Sequence, residues 1–227
     1  MTLEPLEKLD VRGLTVELHR DDDCLNPRED WDEACIMVCA HRRYQLGDKR
    51  EWVESRADKD NPRTWLWTEL GYFTEFLEEH PGTVYVPLYL YDHGGITMST
   101  GAFGDPWDSG QVGWAYMTPE MITWEYGNKG ALELTLEMVE KARALIKSEV
   151  RVYDQYLRGE CYGYVVRDPE TSEVLDSCWG FLGDEKYALE EGQLVAEAIA
   201  DAREERAAQV RAENIMVPVW EGVGAYA

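Results

Sequence analysis

The sequence predicts a single α+β domain, with helices packed on a mainly antiparallel sheet and a long helix near the C-terminus. Three observations carry this. Short runs rich in β-branched and aromatic residues lie near both ends and through the centre of the chain. Two segments, 132–157 and 184–211, repeat apolar residues at helical spacing. No Gly/Ser-rich or Pro-rich linker divides the 227 residues.

Residues 13–19 alternate apolar and polar side chains and read as a strand. An acidic loop follows, from Asp21, Asp22 and Asp23 to Asp30. Residues 36–40 form an apolar run suited to a buried strand. Residues 41–63 are polar and make the one strongly basic stretch. Thr64 can cap a helix running through Trp65, Leu66, Leu70, Phe73 and Leu77 to a stop at Pro81 and Gly82.

Residues 83–91 read as a long strand. Its Pro87 has no N–H for a ladder and demands an edge position or a bulge. Residues 96–100 and 112–117 read as two further strands, and Thr118-Pro119 as an N-cap with proline at the first helical position. Leu132, Leu136, Val139, Ala142, Ile146, Val150, Tyr153 and Leu157 share one helical face, which Arg158-Gly159 ends. A hairpin pairs 161–167 with 174–181 across Asp168-Pro169-Glu170-Thr171-Ser172. In the last helix, 184–211, Ala188, Val195, Ala196, Ile199, Ala202 and Val210 are expected to face inward, opposite an acidic side that can project. Residues 215–220 suit a final edge strand.

The formal net charge is −23, while 44% of residues are apolar, so acid is spread over a folded surface rather than a disordered tail. Residues 64–128 carry nine Asp or Glu and no Lys or Arg. Such a surface repels nucleic acid and anionic membranes and attracts basic protein clefts. No apolar run approaches the roughly 20 residues of a membrane-spanning helix. The N-terminus has neither the basic nor the apolar region of a secretory signal. With an odd count of five cysteines, all five thiols are expected to be free in a reducing cytoplasm.

Three constellations bear on chemistry. Asp92-His93 with Asp105, Asp108, His41, Arg42 and Arg43 supplies acid, base and anion-binding groups from Gly-rich and polar segments, the materials of a small-molecule or nucleotide hydrolase. Neighbours on a strand point to opposite faces, so Asp92 and His93 need not act together. Cys35, Cys39 and His41 offer soft ligands, but no fourth ligand and no C-x-x-C is present, so no metal is expected. Phosphate-loop and dinucleotide motifs are absent, so no cofactor is expected. Glu190, Glu197 and Glu204 repeat every seven residues, about 10.5 Å along a helix, and with Asp201 they make an acidic stripe able to imitate a phosphate track.

Several strings occur together: Asn26-Pro27-Arg28-Glu29-Asp30, residues 38–48 (VCAHRRYQLGD), residues 90–95 (LYDHGG), residues 107–113 (WDSGQVG), residues 153–157 (YDQYL) and residues 178–181 (CWGF). They resemble a family of uncharacterised proteins from bacteriophages and mobile elements. The resemblance spans roughly residues 20 to 185 and implies a phage or mobile-element origin, and hence the cytoplasm of an infected bacterium. It carries no catalytic residues with it.

The leading expectation is therefore a non-enzymatic acidic protein that binds and inhibits a basic host or defence protein, one that itself binds nucleic acid, by DNA-like charge mimicry. The residues expected to carry it are Asp21, Asp22, Asp23, Glu190, Glu197, Asp201 and Glu204. The hydrolase built on the His/Asp/Arg set is the second reading, and a structural or oligomeric accessory protein the third.

Overall fold

The computed structural model describes residues 4–41, 43–48, 73–127 and 133–215. In chain order its elements are β1 (Glu7–Val11), β2 (Leu14–Arg20), α1 (Pro27–Asp30), β3 (Ile36–Cys39), α2 (73–79), β4 (Val84–Asp92), β5 (Ile96–Ser99), β6 (Ser109–Met117), α3 (Pro119–Tyr126), α4 (Leu136–Leu157), β7 (Cys161–Arg167), β8 (Val174–Leu182) and α5 (Glu185–Ile215). The α+β class, the antiparallel pairing and the long C-terminal helix are all present. The strands are shared between two four-stranded sheets, ordered β1-β2-β7-β8 and β3-β6-β4-β5. Each sheet lies in its own compact unit: Met1–Asp21 with Tyr162–Ala227, and Asp22–Cys161. The second unit is thus an insertion in the chain between the strands of the first.

In the first unit, β1 and β2 are joined by Arg12 and Gly13, both at positive φ (54° and 83°), the backbone that a two-residue hairpin matching the strand twist requires. Sequence reasoning misses β1 because Glu7-Lys8-Leu9-Asp10-Val11 is mostly polar and its turn lacks an Asn-Gly or Asp-Gly signal. α5 covers one face of this sheet, where Leu14, Val16, Tyr164 and Val166 pack on Ala196, and Leu18 and Tyr162 on Ala188. A Cβ at Gly192 would lie 2.7 Å from Val16 Cγ1 and 2.9 Å from Tyr164 Cγ, so the helix can sit this close only with glycine there. Ala202 and Val210, expected inward, are exposed. α5 outruns the sheet, and every residue from 201 to 213 is exposed.

In the second unit, α4 lays Met138, Ala142, Ile146, Val150 and Tyr153 on a core of Met37, Val86, Leu88, Leu90, Met98, Ala115 and Met117. Leu136, expected on that face, is 76% exposed, and Met138 is the first α4 residue in the core. The opposite face of the sheet packs Val38, Trp114 and Tyr116 against Phe73 of α2, with the Phe73 and Trp114 rings stacked at 4.5 Å. Thr118 caps α3, with Pro119 opening it, and Thr135 caps α4 by accepting from the Met138 N–H at 3.2 Å. Pro87 lies in the part of β4 that β5 does not reach and next to a bulge at Leu88/Tyr89, consistent with its missing donor. Gly113 faces Cys39 across β3–β6, where a Cβ would stand 1.8 Å from the Val38 carbonyl oxygen.

The expectation of five free thiols is corrected. Cys24 and Cys161 form a disulfide, with Cα atoms 6.3 Å apart across 137 residues, while Cys35, Cys39 and Cys178 are free. The cause is topological. β2 and β7 are antiparallel neighbours, with Arg20 opposite Tyr162, so the chain leaving β2 and the chain entering β7 begin side by side. No helix among the described residues is long and apolar enough to cross a membrane. Residues 64–70, Leu132, Arg42, most of the basic stretch and residues 216–220 lie outside the described residues.

Candidate functional site

The segment from Asp21 to Glu33 holds seven carboxylates and one cation, Arg28. In sequence Arg28 looks like a local counter-charge. In three dimensions it is not, because the backbone here turns it inward. The Asn26 side chain accepts from the Arg28 N–H at 3.0 Å, Pro27 opens α1, and the Asp30 carboxylate accepts from the Asn26 N–H at 3.0 Å. This tight turn points Arg28 into the unit, where its side chain is 2% exposed.

There the guanidinium meets a prepared acceptor set. Nε and Nη2 donate to the two Asp48 oxygens, each at 2.9 Å. Nη1 donates to Glu149 at 3.0 Å and Nη2 to the Cys35 carbonyl at 2.6 Å. The planar fork of arginine suits this bidentate geometry. The carboxylates are satisfied in turn: Asp48 accepts from the Met37 N–H at 2.9 Å, and Glu149 from the N–H groups of Ala34 at 3.0 Å and Cys35 at 3.2 Å. Tyr153 adds its hydroxyl, accepting from the Gly47 N–H at 3.0 Å. Burial pushes the Cys35 thiol well up from its ordinary range and the Cys39 thiol up to about 12, so neither is a thiolate at neutral pH.

Glu33 stands beside Glu149 at the edge of this cluster. Burial, followed by the charge of Glu149 and a hydrogen bond to it, pushes the Glu33 carboxyl up to about 7. Glu33 therefore favours its protonated form in the folded state. Its contribution to stability is complete below the unfolded carboxyl range near 4.5 and is lost as pH rises through about 7. The parent should lose stability between about pH 4.5 and 7. Glu33→Gln should flatten that decline in urea midpoints measured across the window, and an unchanged slope would refute the assignment.

With Arg28 turned away, Asp22, Asp23, Glu29, Asp30 and Asp32 are exposed beside Trp31, itself 44% exposed. A cavity of about 620 Å³ opens here, lined by Glu29, Trp31, Asp32, Glu33 and Asp48 and, from its floor, by Arg28, Cys35 and Ile36. The segment is fastened at two points, by the Cys24–Cys161 disulfide and by Arg28. Asp21 belongs to the first unit, where it accepts from the Gly180 N–H at 3.1 Å.

The acidic stripe on α5 is differently placed. Glu190, Glu197, Asp201 and Glu204 are all exposed. Arg12, at the β1–β2 turn, pairs with both Asp201 and Glu204, the latter at 2.7 Å. Lys186 pairs with Glu190 one turn along, at 3.2 Å. Three of the four stripe carboxylates thus have a cation beside them, though exposed pairs of this kind hold only weakly.

The central His/Asp/Arg residues form two sets of partners. Asp92 takes Arg43 as an ion pair and accepts from the Tyr44 hydroxyl at 3.2 Å, while His41 stacks on Tyr44 at 5.0 Å. His93 goes elsewhere: its Nδ1 lies 2.8 Å from Asp108 Oδ2, and its ring stands near Tyr91 at 6.1 Å. Asp105 spends one carboxylate oxygen on the N–H groups of Trp107 and Asp108, at 2.8 and 3.2 Å. Arg42 lies outside the described residues. Asp92 ends β4 and His93 opens the turn that follows it, and the two side chains take different partners.

No protein-family model, curated protein or solved structure matches the chain.

The residues that sequence reasoning missed are Arg28, Asp48 and Glu149. One signal was available. Glu149 sits three residues after Ile146 and four before Tyr153, on the apolar stripe of α4, where an isolated carboxylate needs a buried partner. Nothing in the sequence nominates Arg28 among the other arginines as that partner.

Proposed function

We propose that this is an acidic, phage-type protein that docks on a basic, nucleic-acid-binding host or defence protein and inhibits it by presenting carboxylates where the partner expects phosphates. The supporting observation is the inward turn of Arg28. It removes the one cation of the Asp21–Glu33 segment from the surface and leaves the exposed carboxylates of Asp22, Asp30 and Asp32 on a segment that Arg28 fastens to the unit. A scaffold ordered before binding loses less conformational freedom when the partner arrives. Like-signed charge steers a basic partner and makes association salt-sensitive. The net charge of −23 reinforces the same field. The α5 stripe contributes less, because Arg12 and Lys186 already sit on it. The phage origin and the bacterial cytoplasm rest on the resemblance of the quoted strings alone.

The test is displacement of duplex DNA from basic bacterial DNA-binding proteins. The parent should displace DNA, and increasingly so as salt is lowered. Asp22→Asn/Asp30→Asn/Asp32→Asn should displace at least tenfold less well, because three charge-assisted contacts at about 0.5–1 kcal/mol each are removed. Folding should survive, since these side chains are exposed and the amide oxygen of asparagine at position 30 can still accept from the Asn26 N–H. A triple variant that competes as well as the parent at every salt concentration rejects the segment as the docking surface. Failure of the parent to displace DNA from any such protein rejects the mimicry.

A further inference from the structure

We infer that the loop from Gly101 to Asp108 is a second contact surface, on which Trp107 receives an arginine side chain of the partner. Trp107 is 91% exposed, an unusual position for so large an apolar ring. It is not there through looseness of the chain. Asp105 accepts from the N–H groups of Trp107 and Asp108, the Ser109 hydroxyl donates to the Asp105 carbonyl, and the Asp92 N–H donates to the Asp108 carbonyl at 2.8 Å. These bonds close the loop on itself and on the end of β4, and hold the indole out in water. Rigid tryptophans presented in this way are the usual anchors of protein contacts.

The chemistry of the occupant follows from the surroundings. Asp105 and Asp108 flank Trp107 in the loop; Asp108 faces His93 and Asp92 beneath the loop is paired with Arg43, while Asp105 has a carboxylate oxygen beyond the one its two backbone bonds use. A negative, aromatic surface favours a cation, and a flat guanidinium stacks on an indole face better than an ammonium does. The aromatic neighbourhood continues below the loop, where Tyr91 lies 5.6 Å from Phe103 and 6.1 Å from His93. This deepens the docking reading and rests on it for the basic character of the partner.

The test uses the full chain with two peptides of equal length and charge, one arginine-rich and one lysine-rich, titrated by calorimetry. The parent should bind the arginine peptide about two- to fivefold more tightly, the range expected for an exposed cation–π contact. Trp107→Ala should abolish that preference. Trp124→Ala, which removes an 82% exposed tryptophan from α3, should retain it. The triple Asp→Asn variant should weaken both peptides and keep the ratio. No arginine preference in the parent, a preference that survives Trp107→Ala, or one lost equally in Trp124→Ala overturns the inference and leaves the docking reading standing. Displacement of the arginine peptide by a neutral oligosaccharide would assign the loop to carbohydrate instead and overturn it too. A parent that binds neither peptide overturns both.

Discussion

Arg28→Ala should destabilise the second unit by about 3–5 kcal/mol, the largest effect expected of any single surface-adjacent change in this chain. The substitution removes a guanidinium that faces both Asp48 and Glu149, whose side chains are 14% and 7% exposed. Two carboxylates would then share a poorly hydrated interior without the guanidinium that now bridges them, though each keeps its backbone N–H donors. Breaking one side of a buried pair costs far more than deleting the whole set. Arg28→Met combined with Asp48→Asn and Glu149→Gln should therefore recover most of the loss. Urea denaturation followed by tryptophan fluorescence reads both variants, since Trp114 lies in the core of the same unit. A loss below about 1 kcal/mol for Arg28→Ala would place this cluster among ordinary exposed ion pairs.

Cys24→Ser should cost about 2–4 kcal/mol. Closing a loop of 137 residues restricts the unfolded chain strongly, by about 5 kcal/mol in the chain-entropy account, and measured losses usually fall below that limit. Reduction of the parent should produce the same shift, and reduction of the variant none. Thiol titration under denaturing, non-reducing conditions should find the three thiols of Cys35, Cys39 and Cys178, and all five after reduction. Five thiols without reductant would remove the bridge from the native protein. Loss of the bridge also releases one of the two fastenings of the acidic segment, so DNA displacement should weaken in the reduced parent.

Most of the elements were legible because each depends on local pattern. A β-branched and aromatic run marks β4, the turn at residues 168–172 marks the β7–β8 hairpin, and a period near 3.6 marks α4. β1 was not legible, because its five residues gain their place from pairing with β2 rather than from their own composition. The extent of packing along α5 was not legible either. Ala202 and Val210 continue the inward spacing of Ala188 and Ala196, but the sheet ends before they reach it. The division into two sheets and the Cys24–Cys161 bridge are non-local facts that no window of sequence contains. At the site, the carboxylates were visible and the fate of their counter-charge was not. Whether Arg28 shields the segment or abandons it depends on Asp48 and Glu149, which lie 20 and 121 residues away.

The insertion of one unit within the other also orders events during synthesis. When the ribosome has made residues 22–161, the second unit has every described strand of its sheet and its long helix. The first unit then consists of the β1–β2 hairpin alone, and an isolated hairpin is marginal in water. It must wait for β7, β8 and α5, which at roughly 5–20 residues per second arrive over several seconds. During that interval the free side of β2 is an unpaired edge, and Leu14, Val16 and Leu18 have no helix to cover them. The nascent chain is most exposed to misassembly and to chaperone capture in this window, and a ribosome stalled once α4 has cleared its exit tunnel would carry a folded acidic unit and a still unpaired hairpin.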